Sequence, residues 1–252
     1  MNVEFQAIYI MWLRQMKRFF RSKSRLVVTV VQPLLFLFIL GSGFRQIDIP
    51  GLEIDFIHFF APGIITMSII FSSMFTGISV LWDKQFGFLQ ELLVAPISRI
   101  SIIIGRTLGG ATVALIQGFI ILFIAIALGT PISGPYGLIL TLIFMVLIAF
   151  TAVGFGLILA SKMNDFQSFP LIMNLVIMPL LFLSSAFFPV STNPTLQTIA
   201  YLDPLFYMVD GLRGSLISKA NVLPPLYNLA IVFVLCVIMM SIGSYTFSKS
   251  EA

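Results

Sequence analysis

Six long runs of apolar residues interrupt the polar sequence of this chain of 252 residues. They cover about residues 26–44, 59–81, 107–128, 136–160, 169–188 and 226–247. Each run approaches or exceeds the ~20 residues that a helix needs to cross the hydrocarbon layer of a membrane. The runs are apolar on every face, whereas the strands of a membrane barrel alternate apolar and polar positions. The pattern therefore predicts an all-α polytopic membrane protein with six transmembrane helices, numbered here as spans one to six.

Composition supports this class. The chain is 59% hydrophobic and 10% charged, whereas soluble domains carry about 25% charged residues. The segments between the spans are too short to build a core of their own. We therefore expect a single transmembrane domain over residues 1–252, in which residues 1–25 form an interfacial helix before the first span.

The positive charges predict the orientation. Eleven of the fourteen Lys and Arg residues fall on one side: six before span one, three between spans two and three, and one each after spans four and six. Basic residues flanking spans favour the cytoplasmic side. The prediction is a multi-pass protein of the cell membrane with both termini in the cytoplasm. The basic balance follows from this topology and does not indicate nucleic acid as a partner.

Residues 4–22 have the periodicity of an amphipathic helix. Apolar residues recur at helical spacing, and basic residues occupy much of the remaining surface. This pattern is typical of an interfacial helix that lies among lipid headgroups. A solvated basic leader is the alternative. The apolar stripe comprises Phe5, Ile8, Tyr9, Trp12, Met16, Phe19 and Phe20.

The cytoplasmic segment 82–99 has more apolar residues than a simple connector needs. Asp83 can cap a short helix and Pro96 can end it. A helix of this length would need a protein partner or the membrane interface to cover its apolar surface. We predict a docking element for a cytoplasmic partner; a connector that lies on the membrane surface is the alternative.

Residues 189–223, between spans five and six, predict two short helices on the outer side. The dipeptides at 193–194 and 203–204 each place an N-cap residue before a proline at the first helical position. In the second helix, Asp210 and Arg213 are three residues apart and could pair on the face opposite the apolar stripe. The helices could re-enter the membrane partway or rest outside it. In both cases they would shape an outer mouth, with Asp203, Pro204, Asp210 and Arg213 as its candidate residues.

The chain lacks the sequence signatures of several enzyme classes. It contains no G-x-x-x-x-G-K-[ST], no H-E-x-x-H and no G-x-S-x-G. The metal site of an H-E-x-x-H motif needs two histidines, and the chain has one. The centres of the spans hold almost no ionisable residues, which ion-coupled carriers usually place there. We predict a non-enzymatic transport subunit that binds no cofactor and takes its energy from another protein.

Two segments, together with the six spans and the basic N-terminal helix, resemble the ABC type-2 export permeases. These are the membrane subunits of daunorubicin-resistance, lipo-oligosaccharide nodulation and polysaccharide exporters. The segments are GFLQELLVAPISR at 87–99 and YLDPLFYMVDGLRG at 201–214. The resemblance covers essentially the whole chain, and the second segment is its most specific part. The family usually has asparagine where Asp203 stands, but both residues cap helices.

The resemblance implies a complex of two permease copies, as a homodimer, with two cytoplasmic ATP-binding-cassette subunits. Those subunits would use ATP and magnesium. The N-terminal helix would contact the ATPase from the membrane plane, and the helix near 85–95 would be the coupling helix that fits a cleft on the ATPase. The docking residues implied in this way are Gln85, Phe86, Phe88, Leu89, Glu91, Leu92 and Ala95.

The resemblance also implies that spans one, two and five line the transport pathway. Residues on spans two and five that would border it are Met67, Phe71, Phe75, Phe182, Ser184 and Ser185, although helix packing or lipid contact would account for any one of them. Their apolar and aromatic character favours a hydrophobic, lipid-linked or drug-like substrate. A polysaccharide or lipo-oligosaccharide exporter is one alternative. A gradient-driven carrier or channel, and a membrane scaffold without transport activity, are the others.

Overall fold

The computed structural model describes residues 3–43, 55–88, 97–163, 165–190, 193–217 and 220–250. Within these ranges the chain is helical and contains no strand, so the all-α prediction is confirmed. The nine helices are α1 (Val3–Arg21), α2 (Lys23–Gly43), α3 (Phe56–Gln85), α4 (Arg99–Ala127), α5 (Gly134–Lys162), α6 (Ser168–Leu183), α7 (Pro194–Ala200), α8 (Pro204–Leu216) and α9 (Pro225–Ser250).

Four of these helices are long and apolar enough to cross a membrane, namely α3, α4, α5 and α9. The apolar parts of the helices at predicted spans one and five are shorter, at Val27–Gly41 in α2 and Ser168–Leu183 in α6. Within the described residues, each of these two stretches is shorter than the ~20 residues that usually cross the hydrocarbon layer. The structure thus confirms a membrane protein with four long spans, and the count of six stays a prediction.

Helix α3 lies at the centre of the bundle and packs against α2, α4, α5 and α8. Its most apolar stretch is 83% buried. Close packing depends on small residues, since Gly77 of α3 and Gly156 of α5 place their backbones in direct contact. Without a side chain at either position the two helices approach more closely than most residues allow.

The small residues of α4 face two different neighbours. A Cβ atom on Gly105 would lie 2.6 Å from Met11 Cβ, and one on Gly109 would lie 2.7 Å from Gln15 Cβ. Both neighbours belong to α1. Gly110 instead faces Thr76 of α3. One face of α4 therefore accommodates α1 and another accommodates α3.

Helix α1 packs lengthwise along the first half of α4. The predicted apolar stripe is divided: Met16 and Phe19 are buried against Val113 of α4, whereas Phe5 and Tyr9 are more than half exposed. The N-terminal helix is thus anchored on the protein through part of its stripe and leaves the rest of the stripe exposed.

The bundle has two ends, which we name by a residue at each. The Asp83 end holds the beginnings of α2, α4 and α6 and the ends of α3 and α5. The Arg213 end holds the opposite termini of these helices, together with α7 and α8.

Candidate functional site

A group of charged side chains joins three helices at the Asp83 end. Arg14 of α1 donates two hydrogen bonds to the carboxylate of Asp83, from Nη1 to Oδ2 at 2.9 Å and from Nη2 to Oδ1 at 2.6 Å. Arg18 Nη1 is 3.8 Å from Oδ1, and Arg106 Nη2 of α4 is 2.9 Å from Oδ2. We call these four residues the Asp83 cluster. It links α1, the end of α3 and the beginning of α4 through a single carboxylate.

The Asp83 cluster has three positive charges for one negative charge. Arg106 is fully buried, and its Nη2 forms a close ion pair with Asp83 Oδ2. Burying a charge costs free energy unless an opposite charge lies close by. Asp83 is therefore the carboxylate that makes the burial of Arg106 tolerable.

The predicted docking segment begins directly after this cluster. Gln85 ends α3, and Phe86 follows it with 70% of its surface exposed, its ring 5.4 Å from that of Trp82. The guanidinium of Arg14 lies 3.7 Å from the ring centre of Phe88. Four further candidates, Leu89, Glu91, Leu92 and Ala95, lie outside the described residues.

The beginning of α4 is tied to the beginning of α1. Ser98 caps α4 by accepting a hydrogen bond from the backbone N–H of Ser101 at 3.1 Å. The hydroxyls of both serines donate to the carboxylate of Glu4, from Ser98 Oγ at 2.8 Å. These hydrogen bonds lower the pKa of Glu4, the bond from Ser101 contributing most. Both sides of the docking segment are thus connected to α1.

At the opposite end, Arg213 of α8 is buried and holds three elements together. Its Nε donates to the carbonyl of Phe59 at 3.2 Å, and its Nη1 and Nη2 donate to Oγ and the carbonyl of Ser185 at 3.1 and 2.6 Å. The guanidinium also lies 3.8 Å from the centre of the Phe59 ring. Ser185 has a φ of 64°, a left-handed conformation that is uncommon for serine. Arg213 thus joins α8 to the beginning of α3 and to the turn after α6.

Asp210 and Arg213 do not hydrogen-bond each other, because the two side chains reach different hydrogen-bond partners. Asp210 accepts hydrogen bonds from the backbone N–H groups of Val222 and Leu223, at 2.8 and 2.9 Å, and from Asn228 Nδ2 at 2.9 Å. Both charged residues are buried, so α8 has no solvated face on which they could pair. Asp210 instead fastens the loop before α9.

Both predicted N-caps are present. Asn193 accepts from the Thr195 N–H at 3.0 Å, and Asp203 accepts from the Leu205 N–H at 2.8 Å. Each is followed by a proline at the first helical position, Pro204 in the case of α8. Burial raises the pKa of Asp203 to about 7.

A partly open cavity of about 460 Å³ lies between α2, α3, α4 and α6. Met67, Phe71 and Phe75, three of the predicted pathway residues, line it. The other three lie elsewhere: Phe182 is half-exposed, and Ser184 and Ser185 are buried in the turn near Arg213. The lining residues are Thr29, Gln32, Pro33, Met67, Ser68, Phe71, Ser72, Phe75, Gln117, Pro170, Met173, Asn174 and Met178.

Sequence reasoning missed two features of these sites. It treated Arg106 only as a charge that sets orientation and did not pair it with Asp83. It also considered ionisable residues at the centres of the spans but not neutral amides, and so overlooked Gln117, whose Nε2 donates to Thr29 Oγ1 at 2.8 Å. A polar side chain in the middle of an apolar span was the signal that could have found it.

The sequence model of the family described as ABC-2 type transporter matches residues 6–217. The chain is 31% identical over 248 residues to "Putative transport permease ycf38" of Pyropia yezoensis, covering 94% of this chain and 80% of the relative. It is 28% identical over 240 residues to "Inner membrane transport permease YadH" of Escherichia coli (strain K12), covering 93% and 92%.

A third relative is "Probable multidrug ABC transporter permease YbhR" of the same bacterium. The identity is 31% over 161 residues, which are 63% of this chain and 43% of the relative. All three relatives are described as transport permeases. The family model covers residues of both the Asp83 end and the Arg213 end.

Proposed function

The chain belongs to the ABC-2 type transporter family, and from that premise we propose that it is the permease subunit of an exporter driven by ATP. Two copies would assemble with two cassette ATPases, which would bind ATP and magnesium. Six spans, with α2 and α6 as the first and fifth, would place both termini and the Asp83 end in the cytoplasm. The cargo would be a hydrophobic, lipid-linked or drug-like molecule; a polysaccharide is the alternative cargo.

The observation that carries this proposal is the Asp83 cluster beside the exposed Phe86, which begins the predicted docking segment. Asp83 binds α1 through Arg14 and lies against α4 through Arg106, at the point where the chain leaves α3 for the docking segment. A force applied by an ATPase to that segment would therefore act on three helices together. The large exposed ring of Phe86 offers the apolar anchor that interface hot spots usually contain.

The chain has no P-loop of its own, so the proposal requires a separate ATPase. The test is reconstitution of the full chain in lipid nanodiscs with the cassette ATPase that is encoded nearest to it. Association is measured by surface immobilisation, and ATP hydrolysis is measured on the same samples. Loss of a buried aromatic anchor typically costs about 2 kcal/mol or more, so Phe86→Ala should weaken association by at least about tenfold.

Tyr136→Ala provides the matched control, since Tyr136 is 68% exposed but lies at the Arg213 end. It should leave association unchanged. Glu91→Lys should uncouple ATP hydrolysis from transport if Glu91 contacts the ATPase as the resemblance implies. The proposal fails if a folded chain forms no complex with the ATPase, or if Phe86→Ala and Tyr136→Ala behave alike.

A further inference from the structure

The cavity between α2, α3, α4 and α6 is lined by both polar and apolar side chains. The polar residues are Thr29, Gln32, Ser68, Ser72, Gln117 and Asn174, and the apolar residues include Met67, Phe71, Met173 and Met178. At about 460 Å³ its volume lies within the range of small-molecule sites.

One polar group in the cavity lacks a partner. Ser68 satisfies its hydroxyl by donating to the carbonyl of Ile64, one turn earlier, at 2.7 Å. Ser72 is only 3% exposed, and its hydroxyl has no hydrogen-bond partner in the part of the chain that the structure describes. A buried polar group without a partner is destabilising. A ligand that hydrogen-bonds Ser72 would remove this penalty.

The cavity is also free of charge. No lining residue is ionisable. The nearest cation is Arg18, which borders two adjoining hollows, one of which shares Ser72 and Phe75 with the cavity. Arg18 is itself 3.8 Å from Asp83. Moving an ion into a site that offers no opposite charge is much more costly than moving a neutral polar group that finds hydrogen bonds there. The lining therefore favours a neutral headgroup.

Gln32 connects the cavity to an apolar groove on α2. This groove has a volume of about 410 Å³ and is lined by Gln32 and by aliphatic and aromatic residues that include Val28, Leu35 and Ile39. Those three side chains are more than half exposed. A molecule with its head in the cavity can thus lay an alkyl chain along α2 without leaving apolar surroundings.

We propose that this cavity is a binding site for an amphiphile whose headgroup is uncharged and forms hydrogen bonds, and that it discriminates against an anionic headgroup on the same alkyl chain. This inference deepens the proposed function. The binding site is a cargo site on the premise that the chain is an exporter permease. Ser72, Gln117 and Asn174 supply the hydrogen bonds, and the methionines and Phe71 surround the first part of the chain.

The test uses the purified full chain in nanodiscs and two tritiated probes with one alkyl chain. Monooleoylglycerol carries a neutral diol, and oleyl sulfate carries a permanent negative charge. Saturable binding is measured by scintillation proximity. Monooleoylglycerol should bind at least about tenfold more tightly than oleyl sulfate, because the cavity has no cation to compensate the sulfate.

The matched pair of variants is Ser72→Ala and Ser73→Ala. Both hydroxyls are buried and without a partner among the described residues, but only Ser72 lines the cavity. Ser72→Ala should weaken monooleoylglycerol binding by about threefold to tenfold, the value of one hydrogen bond, whereas Ser73→Ala should not change it. Asn174→Leu, at an exposed position, should also weaken binding.

Equal binding of the two probes, or equal effects of the two serine variants, would overturn the inference. The measurement needs no ATPase, so its failure is separate from failure of the exporter proposal. Selective binding by a chain that forms no complex with an ATPase would support the site while refuting the proposed function. A complex with active ATP hydrolysis but without selective binding would support the proposed function and refute the site.

Discussion

Replacing Asp83 by asparagine tests whether one carboxylate holds the Asp83 end together. The substitution keeps the size of the side chain but removes its charge. In the native structure Asp83 is buried, and it is the carboxylate that compensates Arg106, which is also fully buried. Asparagine would leave the guanidinium of Arg106 in the protein interior beside two further cations, Arg14 and Arg18.

The expected magnitude follows from the burial of each partner. The side chains of Arg14 and Arg18 are 32% and 38% exposed, so water can solvate them. The ion pair of each with Asp83 therefore contributes about 0–1 kcal/mol to stability. Arg106 has no such exposure, and removing the partner of a buried charge costs about 3–5 kcal/mol. Asp83→Asn should therefore lower the free energy of unfolding by roughly 3–5 kcal/mol, mainly through Arg106.

Thermal unfolding of the purified chain in detergent measures this effect. Trp82 adjoins Asp83 and Trp12 lies in α1, so intrinsic fluorescence reports on this end of the bundle. Asp165→Asn is the matched control, since Asp165 is exposed and accepts from the N–H groups of Gln167 and Ser168. Asparagine caps helices about as well as aspartate, so the control should unfold near the wild-type temperature.

The double variant Asp83→Asn/Arg106→Gln separates charge from packing. It removes the uncompensated cation along with its partner, so it should be more stable than Asp83→Asn alone. Arg106→Gln alone should be the mildest of the three, because Arg14 and Arg18 still compensate Asp83. Wild-type stability of Asp83→Asn, or strictly additive effects in the double variant, would refute the reasoning.

Three further predictions concern other parts of the fold. Gly105→Val should displace α1 from α4, since its Cβ would lie 2.6 Å from Met11 Cβ. The control is Gly43→Val, whose Cβ would meet nothing within 4 Å. Cross-linking between cysteines placed in α1 and α4 measures the displacement. Arg213→Lys should destabilise the Arg213 end, because a single ammonium group cannot reproduce the guanidinium contacts; thermal unfolding measures it. The pKa of Asp203 is raised to about 7 in the folded chain. As the pH rises toward ~7, Asp203 therefore loses its proton in the unfolded chain before it does so in the folded chain. The free energy of unfolding should fall over this pH range. Asp203→Asn should remove this pH dependence of the unfolding temperature.

Each of these predictions has a distinct contrary result. Undiminished cross-linking in Gly105→Val would show that α1 does not depend on the close approach. An unchanged unfolding temperature for Arg213→Lys would mean that the guanidinium bonds contribute little. The same pH dependence in wild type and Asp203→Asn would assign that dependence to another group.

The local sequence determined the features that depend on neighbouring residues. Asn193 and Asp203 cap helices because each precedes a proline at a first helical position, and that geometry is complete within four residues. In the same way, the length of the apolar runs predicted their helices, and the spacing of apolar residues at 4–22 predicted the amphipathic helix α1. The family resemblance also rests on contiguous segments, chiefly 201–214, and the comparisons confirmed it.

The tertiary structure decided which distant groups meet. The spacing of Asp210 and Arg213 suggested a pair, but burial of α8 gave each residue a separate partner from another part of the chain. Asp83 and Arg106 are 23 positions apart in the sequence, and only the packing of α3 beside α4 makes them neighbours. Likewise, Gln117, Ser72 and Asn174 lie on three helices, and the cavity exists only where those helices leave space. Helix formation and capping are local free-energy terms, whereas charge compensation and cavities depend on which surfaces pack together.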